Sequence, residues 1–236
     1  NQHGSHYQIL KSEFTNLAEF DLILFRQDPP FDINYISSSY ILERIKDQVL
    51  ILNNPTEIRN CPEKIFVTSF PEFMPPTIIT SNLEAIKLFR MEHKDIIIKP
   101  LYGGGGDGIM HIKPEDDNFT VIAGIMNDFY QAPMVVQKYL PAIKDGDKRI
   151  FILDGKIIGV LNRIPASGEV RSNLAAGGMA VKTIVTKEEE EICNKIGSEL
   201  QKRGLIFAGI DMIGGYITEI NITSPTGIRA DNKLND

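Results

Sequence analysis

The chain has 236 residues, of which 42% are hydrophobic and 24% charged, and it contains no tryptophan. This is the composition of an ordinary folded protein, long enough for one large domain or two small ones. A net charge of −6 argues against a nucleic acid or a membrane surface as the main partner, so an anionic ligand would be met by local lysines and arginines.

The first sixty residues predict an α/β unit. An apolar strand at 21–26 is followed by the turn-rich QDPPFD, a helix at 34–46 and a second strand at 49–53. Strand, helix and strand in this order are typical of a βαβ unit with a parallel sheet. A further helical segment is predicted over 57–70, and it is broken near Pro71, Pro75 and Pro76.

A small α+β module is predicted next. It contains a strand at 77–80, a helix that Ser81 caps with Glu84 in a capping box, strands at 95–99 and 109–113, and a helix near 118–129. The two strands 95–99 and 109–113 flank a glycine-rich run.

The last part of the chain predicts mainly antiparallel strands. Strands are expected over 134–140, 148–153 and 156–163, with Asp154-Gly155 as a hairpin turn between the last two. A long loop over 165–178 precedes a charged helix that ends at Gly204, and a hairpin over 206–222 closes the pattern. We therefore predict an α/β and α+β multidomain protein with domains over 1–60, 61–133 and 134–236.

The glycine run KPLYGGGGDG, over 99–108, places five glycines in six residues. It matches G-x-G-x-x-G, which alone is a weak signal. A dinucleotide-binding or P-loop site requires a helix after the glycines, whereas here a strand pattern follows. The run is thus interpreted as a hairpin whose backbone N–H groups close over a triphosphate, with Lys99 entering from the strand. A flexible hairpin tip without function is the alternative.

The terminal hairpin carries the polar residues Asp211, Glu219 and Asn221 among apolar neighbours. Glu219 and Asn221 share a strand face, and Asp211 joins them if the turn has an odd number of residues. Two carboxylates and an amide oxygen that converge there would suit Mg²⁺. A two-residue Gly-Gly turn would separate Asp211 from the other two and leave solvent-facing polar residues.

Two further segments carry charged residues whose roles are ambiguous when each segment is considered by itself. In DGDKR, Asp147 and Arg149 share a strand face, where they could take ribose hydroxyls and phosphate, or form a charged turn. Lys64 is equally ambiguous. The loop over 165–178, with Arg171 in it and Arg163 before it, is interpreted as a lid or as a disordered segment.

The cysteines and histidines predict no chemistry. Cys61 and Cys193 are far apart without metal-binding spacing, which favours two free thiols in a reduced, cytoplasmic protein over a disulfide. His3, His6, His93 and His111 form no ligand-like pair. Neither a signal peptide nor an apolar stretch of about 18 residues is visible.

The motifs in this order resemble the ATP-grasp superfamily, and within it the bacterial glutathione synthetases. The resemblance rests on FRQDPPFD, YILER, LPAIKDGDKR, RIPASGEVRSNLAAGG and GIDMIGGYITEINITSPTGIR, and it runs from Asp21 to Arg229. It implies a three-domain fold with ATP between two antiparallel sheets. The implied reaction joins γ-glutamylcysteine to glycine through an acyl phosphate.

The resemblance also implies roles for individual residues. Lys64, Lys99 and Arg149 would hold phosphates, Gly103, Gly104, Gly105 and Gly106 would cover them, Asp147 would bind ribose, and Gln137, Lys138, Tyr139 and Leu140 would form the adenine-side hinge. Asp211, Glu219 and Asn221 would hold Mg²⁺, with Mn²⁺ as an alternative. Arg26, Asp28, Arg163, Arg171, Asn173, Ser224 and Thr226 would surround the substrates, and Arg149, Arg163 and Arg171 would act in catalysis.

Some features depart from the resemblance. Tyr102 stands before the glycines where the family often has an acidic residue. The strand and helix that the family places before Asp21, and the helix that it places after Arg229, are not found in the sequence, so the N-terminal domain is expected to be incomplete. The loop over 165–178 is expected to be unordered without ligand.

The family resemblance suggests a homo-oligomer, either a dimer or a tetramer. Another ATP-grasp carboxylate–amine ligase, of the D-alanine or glutamate ligase type, and a non-catalytic nucleotide-binding module remain as alternatives.

Overall fold

The N-terminal residues form a βαβ unit, as predicted. The structure is a computed structural model, and it describes residues 8–235. Strand β1 (Leu22–Leu24) pairs in parallel with β2 (Leu50–Leu52), and α1 (Ile33–Glu43) connects them. The Asp32 side chain caps α1 by accepting a hydrogen bond from the Tyr35 amide. Helices α2 (Pro55–Asn60) and α3 (Glu63–Phe66) follow in place of the single helical segment predicted over 57–70.

The second sheet has four antiparallel strands in the order β3-β6-β4-β5. Two helices pack against it and enclose a separate core that includes Ile86, Ile98, Met126 and Val136. The elements are β3 (Thr77–Thr80), α4 (Leu83–His93), β4 (Ile96–Pro100), β5 (Met110–Ile112), α5 (Phe119–Tyr130) and β6 (Met134–Lys138).

The predicted cap of α4 is wrong by one residue. Asn82, rather than Ser81, accepts hydrogen bonds from the amides of Glu84 and Ala85, at 2.9 and 3.2 Å. Asparagine and serine serve equally well at this position, so the sequence offered two adjacent candidates. The helix itself is found where it was predicted.

The structure differs at both ends of the module predicted over 61–133. Strand β6 lies between β3 and β4, so it belongs to the four-stranded sheet and not to the C-terminal part. At the other end, Phe66, Val67 and Phe70 pack into the larger core. A strand's sequence does not specify its partner, because pairing is decided by contacts distant in the chain.

The third sheet has five antiparallel strands in the order β11-β10-β7-β8-β9. Its elements are β7 (Asp147–Leu153), β8 (Lys156–Ile164), β9 (Met179–Lys182), α6 (Lys187–Lys202), β10 (Phe207–Ile213) and β11 (Tyr216–Asn221). The turn between β7 and β8 is Asp154-Gly155, as predicted. Strand β9 was not predicted, and α7 (Ile228–Asn235) is a helix that the sequence did not reveal after Arg229.

The larger core joins the N-terminal unit to the five-stranded sheet. Tyr35, Ile51 and Ile58 share this core with Ile196 of α6 and Ala208 of β10. The βαβ unit therefore buries its apolar face against the C-terminal part of the chain.

The prediction of two free thiols is confirmed, because Cys61 and Cys193 are both buried and unbridged. His3 and His6 lie outside the described residues. None of the helices described is long and apolar enough to cross a membrane.

Candidate active site

A cleft with about 840 Å³ of space separates the four-stranded sheet from the five-stranded sheet. The glycine run contributes one wall, β7, β10 and β11 contribute the opposite wall, and residues 170–173 of the long loop lie at its edge. Of the predicted nucleotide-binding residues, Arg149 lines the adjoining cavity instead, whereas the others line this cleft: Lys64, Lys99, Gly103, Gly104, Gly105, Gly106, Gln137, Lys138, Tyr139, Leu140 and Asp147.

In the terminal hairpin Asp211 lies opposite Glu219 because of a structural feature that the sequence did not indicate. The turn is the two-residue Gly214-Gly215, which in a regular hairpin would separate the two carboxylates. A β-bulge next to Asp211 shifts the pairing by one residue, so that Asp211 faces Glu219 across the strands. The bulge thus produces the convergence that was expected from an odd-numbered turn.

Asp211 is buried between two arginines. The Arg149 guanidinium binds it with two N–H groups, one of them at 2.8 Å, and Arg163 Nη2 lies 3.1 Å from Asp211 Oδ1. Burial raises the pKa of Asp211, but the two arginines outweigh burial and bring it down to about 2. Asp211 is therefore ionised throughout the neutral range.

Asp147 lies on β7, where its surroundings stabilise an ionised carboxylate less than those of Asp211 do. It accepts hydrogen bonds from Arg163 and from Ser172 Oγ, the latter at 2.7 Å, while its Oδ1 atom is buried without a partner among the described residues. Burial raises the pKa of Asp147 to about 6, although Arg163 opposes the shift. The buried Oδ1 atom fits a ligand hydroxyl that would donate to it.

Two buried lysines face Glu219 from the other wall. Nζ of Lys64 lies 3.6 Å and Nζ of Lys99 3.5 Å from the Glu219 carboxylate. Burial lowers the pKa of Lys99, and the neighbouring Lys64 adds to this effect, while Glu219 opposes it. Lys64 also donates to the Gly103 carbonyl oxygen, which links it to the glycine run.

The glycine run is a strand–loop–strand connection, as predicted, because β4 and β5 pair antiparallel on either side of it. Gly106 has a φ of 85° and lies against the long loop, where a Cβ atom would come within 2.6 Å of Asn173 Oδ1. A side chain at this position would strain the backbone and displace the loop. The bare backbone therefore allows both the fold of the run and its close approach to the long loop.

A second cavity adjoins the cleft on the side of the N-terminal unit. Asp28, Arg149, Arg163, Ser224 and Thr226 line it, and it contains about 1390 Å³ of space. Glu219, Asn173 and the loop from Gly103 to Gly105 line both cavities. The two cavities therefore meet at Glu219, beneath the glycine run.

Two of the predicted substrate-binding residues lie elsewhere. Arg26 donates to the Pro225 carbonyl oxygen at 3.0 Å and is absent from the lining of both cavities, so it supports the Ser224-Pro225-Thr226 turn from behind. Arg171 lines the nucleotide-side cleft instead of the second cavity, and it pairs with Glu169 at 3.2 Å.

Several lining residues were not predicted. Glu63, Asp107, Ser172 and Thr223 line one or both cavities or contact residues that do. Glu63 accepts a hydrogen bond from Thr223 at 2.8 Å, and burial and the nearby Glu219 raise its pKa. Glu63 directly precedes the predicted Lys64, and this adjacency was the one signal in the sequence that could have indicated it.

The arrangement fits a divalent cation at Asp211, Glu219 and Asn221. The carboxylates lie opposite each other, and Asn221 shares the face of Glu219, where its Nδ2 atom donates to Asp211 Oδ2 at 3.1 Å, so a cation would require the amide to turn its oxygen to this side. Such oxygen atoms suit Mg²⁺ together with phosphate oxygens. Lysines and arginines already supply positive charge to both carboxylates, Lys64 to Glu219 and Arg149 to Asp211. Within residues 8–235, no three His, Cys, Asp or Glu side chains form a metal-binding group by themselves.

Two solved structures share the fold of this chain. The chain resembles D-cycloserine synthetase DcsG with a TM-score of 0.70 and 13% identity, over 91% of this chain and 80% of that one. It resembles the ATP-grasp ligase PsnB, solved with a minimal precursor, Mg and ADP, with a TM-score of 0.60 and 19% identity, over 84% and 62% of the two chains. The fold is therefore that of the ATP-grasp ligases.

Sequence comparison shows which family of ATP-grasp ligases the chain belongs to. The model of the prokaryotic glutathione synthetase N-terminal domain matches residues 1–59, and that of the ATP-grasp domain matches 63–236. Glutathione synthetases of Mesorhizobium japonicum and Agrobacterium fabrum are 50% and 48% identical, over 96% and 98% of this chain and 72% of each relative. The chain belongs to the prokaryotic glutathione synthetase family. It is an ATP-dependent carboxylate–amine ligase.

Proposed function

We propose that this protein joins γ-glutamylcysteine to glycine, with ATP converted to ADP and phosphate through an acyl-phosphate intermediate. The observation that carries the proposal is the junction of the two cavities at Glu219 and the glycine run. A nucleotide in the cleft would present its terminal phosphate at this junction. A carboxylate acceptor in the second cavity would meet it there.

The charge and shape of the cleft suit it to a nucleotide. Lys64 and Lys99 are buried cations beside the glycine run, which suits them to phosphate oxygens. Asp147, with its unpartnered Oδ1 atom, would accept a hydrogen bond from a ribose hydroxyl. Gln137, Lys138, Tyr139 and Leu140 would border the adenine base, and Gly103, Gly104, Gly105 and Gly106 would close over the phosphates.

Asp211, Glu219 and Asn221 would hold the metal, with Mg²⁺ as the ion that suits these ligands and Mn²⁺ as an alternative. A bound divalent cation would neutralise phosphate charge and orient the terminal phosphate for transfer. Glu219 is the ligand that both cavities share, and its carboxylate is held in place by Lys64 and Lys99.

The acceptor side would bind two zwitterionic substrates. Arg163, Ser224 and Thr226 would contact substrate carboxylates, together with Asp28 and Asn173 at the cavity wall. Arg171 at the edge of the cleft would help to neutralise the phosphoryl group. Arg26 would act indirectly, by fixing the Ser224-Pro225-Thr226 turn.

The chemical steps follow from this placement. The peptide carboxylate attacks the γ-phosphorus of ATP, ADP leaves, and the acyl phosphate forms where Arg149, Arg163 and the two lysines offset the negative charge. The glycine amine, after loss of a proton, then attacks the acyl carbon and phosphate departs. The mechanism requires no side-chain nucleophile. Burial raises the pKa of the Cys61 thiol to about 11 and that of Cys193 to about 12, so neither thiol is suited to that role.

Three wider proposals accompany this function. Two free, buried cysteines support a reduced, cytoplasmic location. We propose a homo-oligomer, either a dimer or a tetramer, on the family resemblance. We also propose a division into three domains, with the boundaries of the central module moved to include β6 and to exclude α3.

The proposal is tested by measuring ADP and glutathione formation with Mg-ATP, γ-glutamylcysteine and glycine, each omitted in turn. Glutathione should form only when all three are present. Binding of ATP without turnover would instead favour a non-catalytic module. Turnover with D-alanine or another amine, but not with glycine, would favour a different carboxylate–amine ligase.

Glu219→Gln tests the junction directly. We expect kcat to fall by at least about 100-fold, because the transferred phosphate loses a charged metal ligand. Glu84→Gln is the matched control, since the Glu84 side chain is 75% exposed on α4 and pairs only with Lys87. Equal activities of the two variants would contradict the role of Glu219.

A further inference from the structure

His111 lies on β5, one strand away from the hinge that borders the nucleotide cleft. It pairs with Ile97 of β4, and Ile97 in turn pairs with Gln137 of β6. His111 does not line the cleft, whereas Tyr139, just beyond the end of β6, does.

His111, Asp95 and Tyr139 contact one another through three interactions, one for each pair. His111 Nε2 lies 2.6 Å from Asp95 Oδ1 in a hydrogen bond, and the imidazole ring stacks on the Tyr139 ring at 4.0 Å with 19° between the planes. The Tyr139 amide donates to the Asp95 carbonyl oxygen at 2.9 Å. Each of the three residues therefore contacts the other two.

These contacts fix the position of Tyr139, which lies beyond the end of β6 and outside the hydrogen bonding of the sheet. Strand β6 ends at Lys138, so Tyr139 has no regular ladder partner and depends on Asp95 and His111 for its position. Ring stacking fixes the Tyr139 side chain laterally, and the hydrogen bond to Asp95 fixes the imidazole that it stacks on. Burial and the nearby Asp95 raise the pKa of Tyr139, so the phenol stays neutral.

We propose that His111 and Asp95 are positioning residues that hold Tyr139, and with it the hinge of residues 137–140, in place for the base of the nucleotide. This inference rests on the proposed ATP site, and it assigns a role to a histidine for which the sequence indicated none. Loss of the support would let the hinge shift against the base edge. Affinity for ATP and discrimination between adenine and guanine should then fall together.

His111→Ala and His111→Phe test the proposal, because phenylalanine keeps a flat ring for stacking but loses the bond to Asp95. We expect His111→Ala to weaken Mg-ATP binding and raise the KM for ATP about tenfold, and His111→Phe to raise both about threefold. The preference for ATP over GTP should decrease in the same order. The KM values for glycine and γ-glutamylcysteine should stay within about twofold of the parent values.

His93→Ala is the matched control. The His93 ring also contacts an aromatic ring, that of Phe89 at 4.3 Å with a tilt of 57° between the planes, and its side chain is as buried as that of His111, with 16% exposed in each case. It lies at the end of α4 and faces that helix rather than the hinge. His93→Ala should leave ATP binding unchanged.

Calorimetric binding of Mg-ATP separates this inference from the proposed function, because it requires no turnover. A chain that binds ATP but makes no glutathione would overturn the function and still decide the role of His111. Folded His111→Ala and His111→Phe proteins with parental affinity and base preference would overturn the inference. It would also be overturned by an equal loss in His93→Ala, or by an equal rise in the KM for glycine.

Discussion

At the residue scale, buried carboxylates in this site differ because their counter-charges differ. Asp211 lies between Arg149 and Arg163, whereas Asp147 shares only Arg163 and leaves one oxygen without a partner. The pKa of Asp211 is accordingly held at about 2 and that of Asp147 is raised to about 6, from an ordinary value of 3.8 for both. The two residues should therefore give stability opposite dependences on pH.

Asp211→Asn should destabilise the protein by about 3 kcal/mol at pH 7, because two buried arginines lose their common partner. The pKa of Asp211 is depressed on folding, so its ionised form stabilises the protein above pH 3.8, and this contribution is lost as the pH falls towards 2. The difference in the free energy of unfolding between the parent and the variant should shrink by on the order of 2 kcal/mol over that range. Urea titrations at pH 7, 5 and 3.5 measure its onset.

For Asp147→Asn, the difference in stability from the parent should depend on pH in the opposite direction. The pKa of Asp147 is raised on folding, so its contribution is fully present below pH 3.8 and is lost as the pH rises through about 6. The stability of the parent relative to this variant should fall between pH 4 and pH 7. Equal pH slopes for the two variants would show that the arginines do not distinguish the two carboxylates.

At the element scale, helix α6 is fixed by a close approach to the hairpin turn between β7 and β8. Gly197 lies inside α6, and a Cβ atom there would come within 2.3 Å of the Gly155 carbonyl oxygen. Gly124 lies inside α5, where a Cβ atom would meet nothing within 4 Å. Glycine is the poorer helix former at both positions, so packing alone distinguishes them.

Gly197→Ala should therefore destabilise the protein by about 1–3 kcal/mol, because the backbone of the turn or of the helix must move. Gly124→Ala should stabilise it by about 0.5–1 kcal/mol through helix propensity. Thermal or urea unfolding measures both changes. A stabilising effect of Gly197→Ala would mean that α6 is not held against the turn as described.

At the scale of the whole molecule, the N-terminal unit is joined to the C-terminal sheet by one buried amide as well as by the shared core. Asn53 Nδ2 donates to the carbonyl oxygens of Phe207 and Ile222, each at 2.7 Å, and Asn53 Oδ1 accepts from the Phe207 amide at 2.8 Å. These bonds connect the end of β2 with β10 and with the residue after β11.

Asn53→Ala should lower the free energy of unfolding by about 3 kcal/mol, because it leaves buried backbone groups unpaired. Unfolding of the N-terminal unit and of the five-stranded sheet should remain one transition, since they share a core. Asn60→Ala, an exposed asparagine with a single bond to Glu57, should change stability by less than about 0.5 kcal/mol. A loss below about 1 kcal/mol in Asn53→Ala would show that the amide does not join the two parts.

The sequence by itself determined the order and type of most elements. It predicted the parallel βαβ unit, the strand–glycine–strand connection and the Asp154-Gly155 hairpin, because periodicity and turn residues are local signals. The family resemblance also indicated many of the residues that line the nucleotide cleft, although Arg149 lies in the adjoining cavity and Asp107 and Ser172 were missed. The loop over 165–178 contains a short helical turn at Leu174–Ala176, and its disorder without ligand stays a prediction.

Only the tertiary structure decided how distant segments meet. The two arginines that hold Asp211, the place of β6 in the four-stranded sheet and the contact of His111 with Tyr139 all depend on segments that are distant in the chain. The bulge that sets Asp211 opposite Glu219 lies within one hairpin, but its residues do not mark it. Such register is set by packing and hydrogen bonding across the whole molecule, which no local pattern of residues encodes.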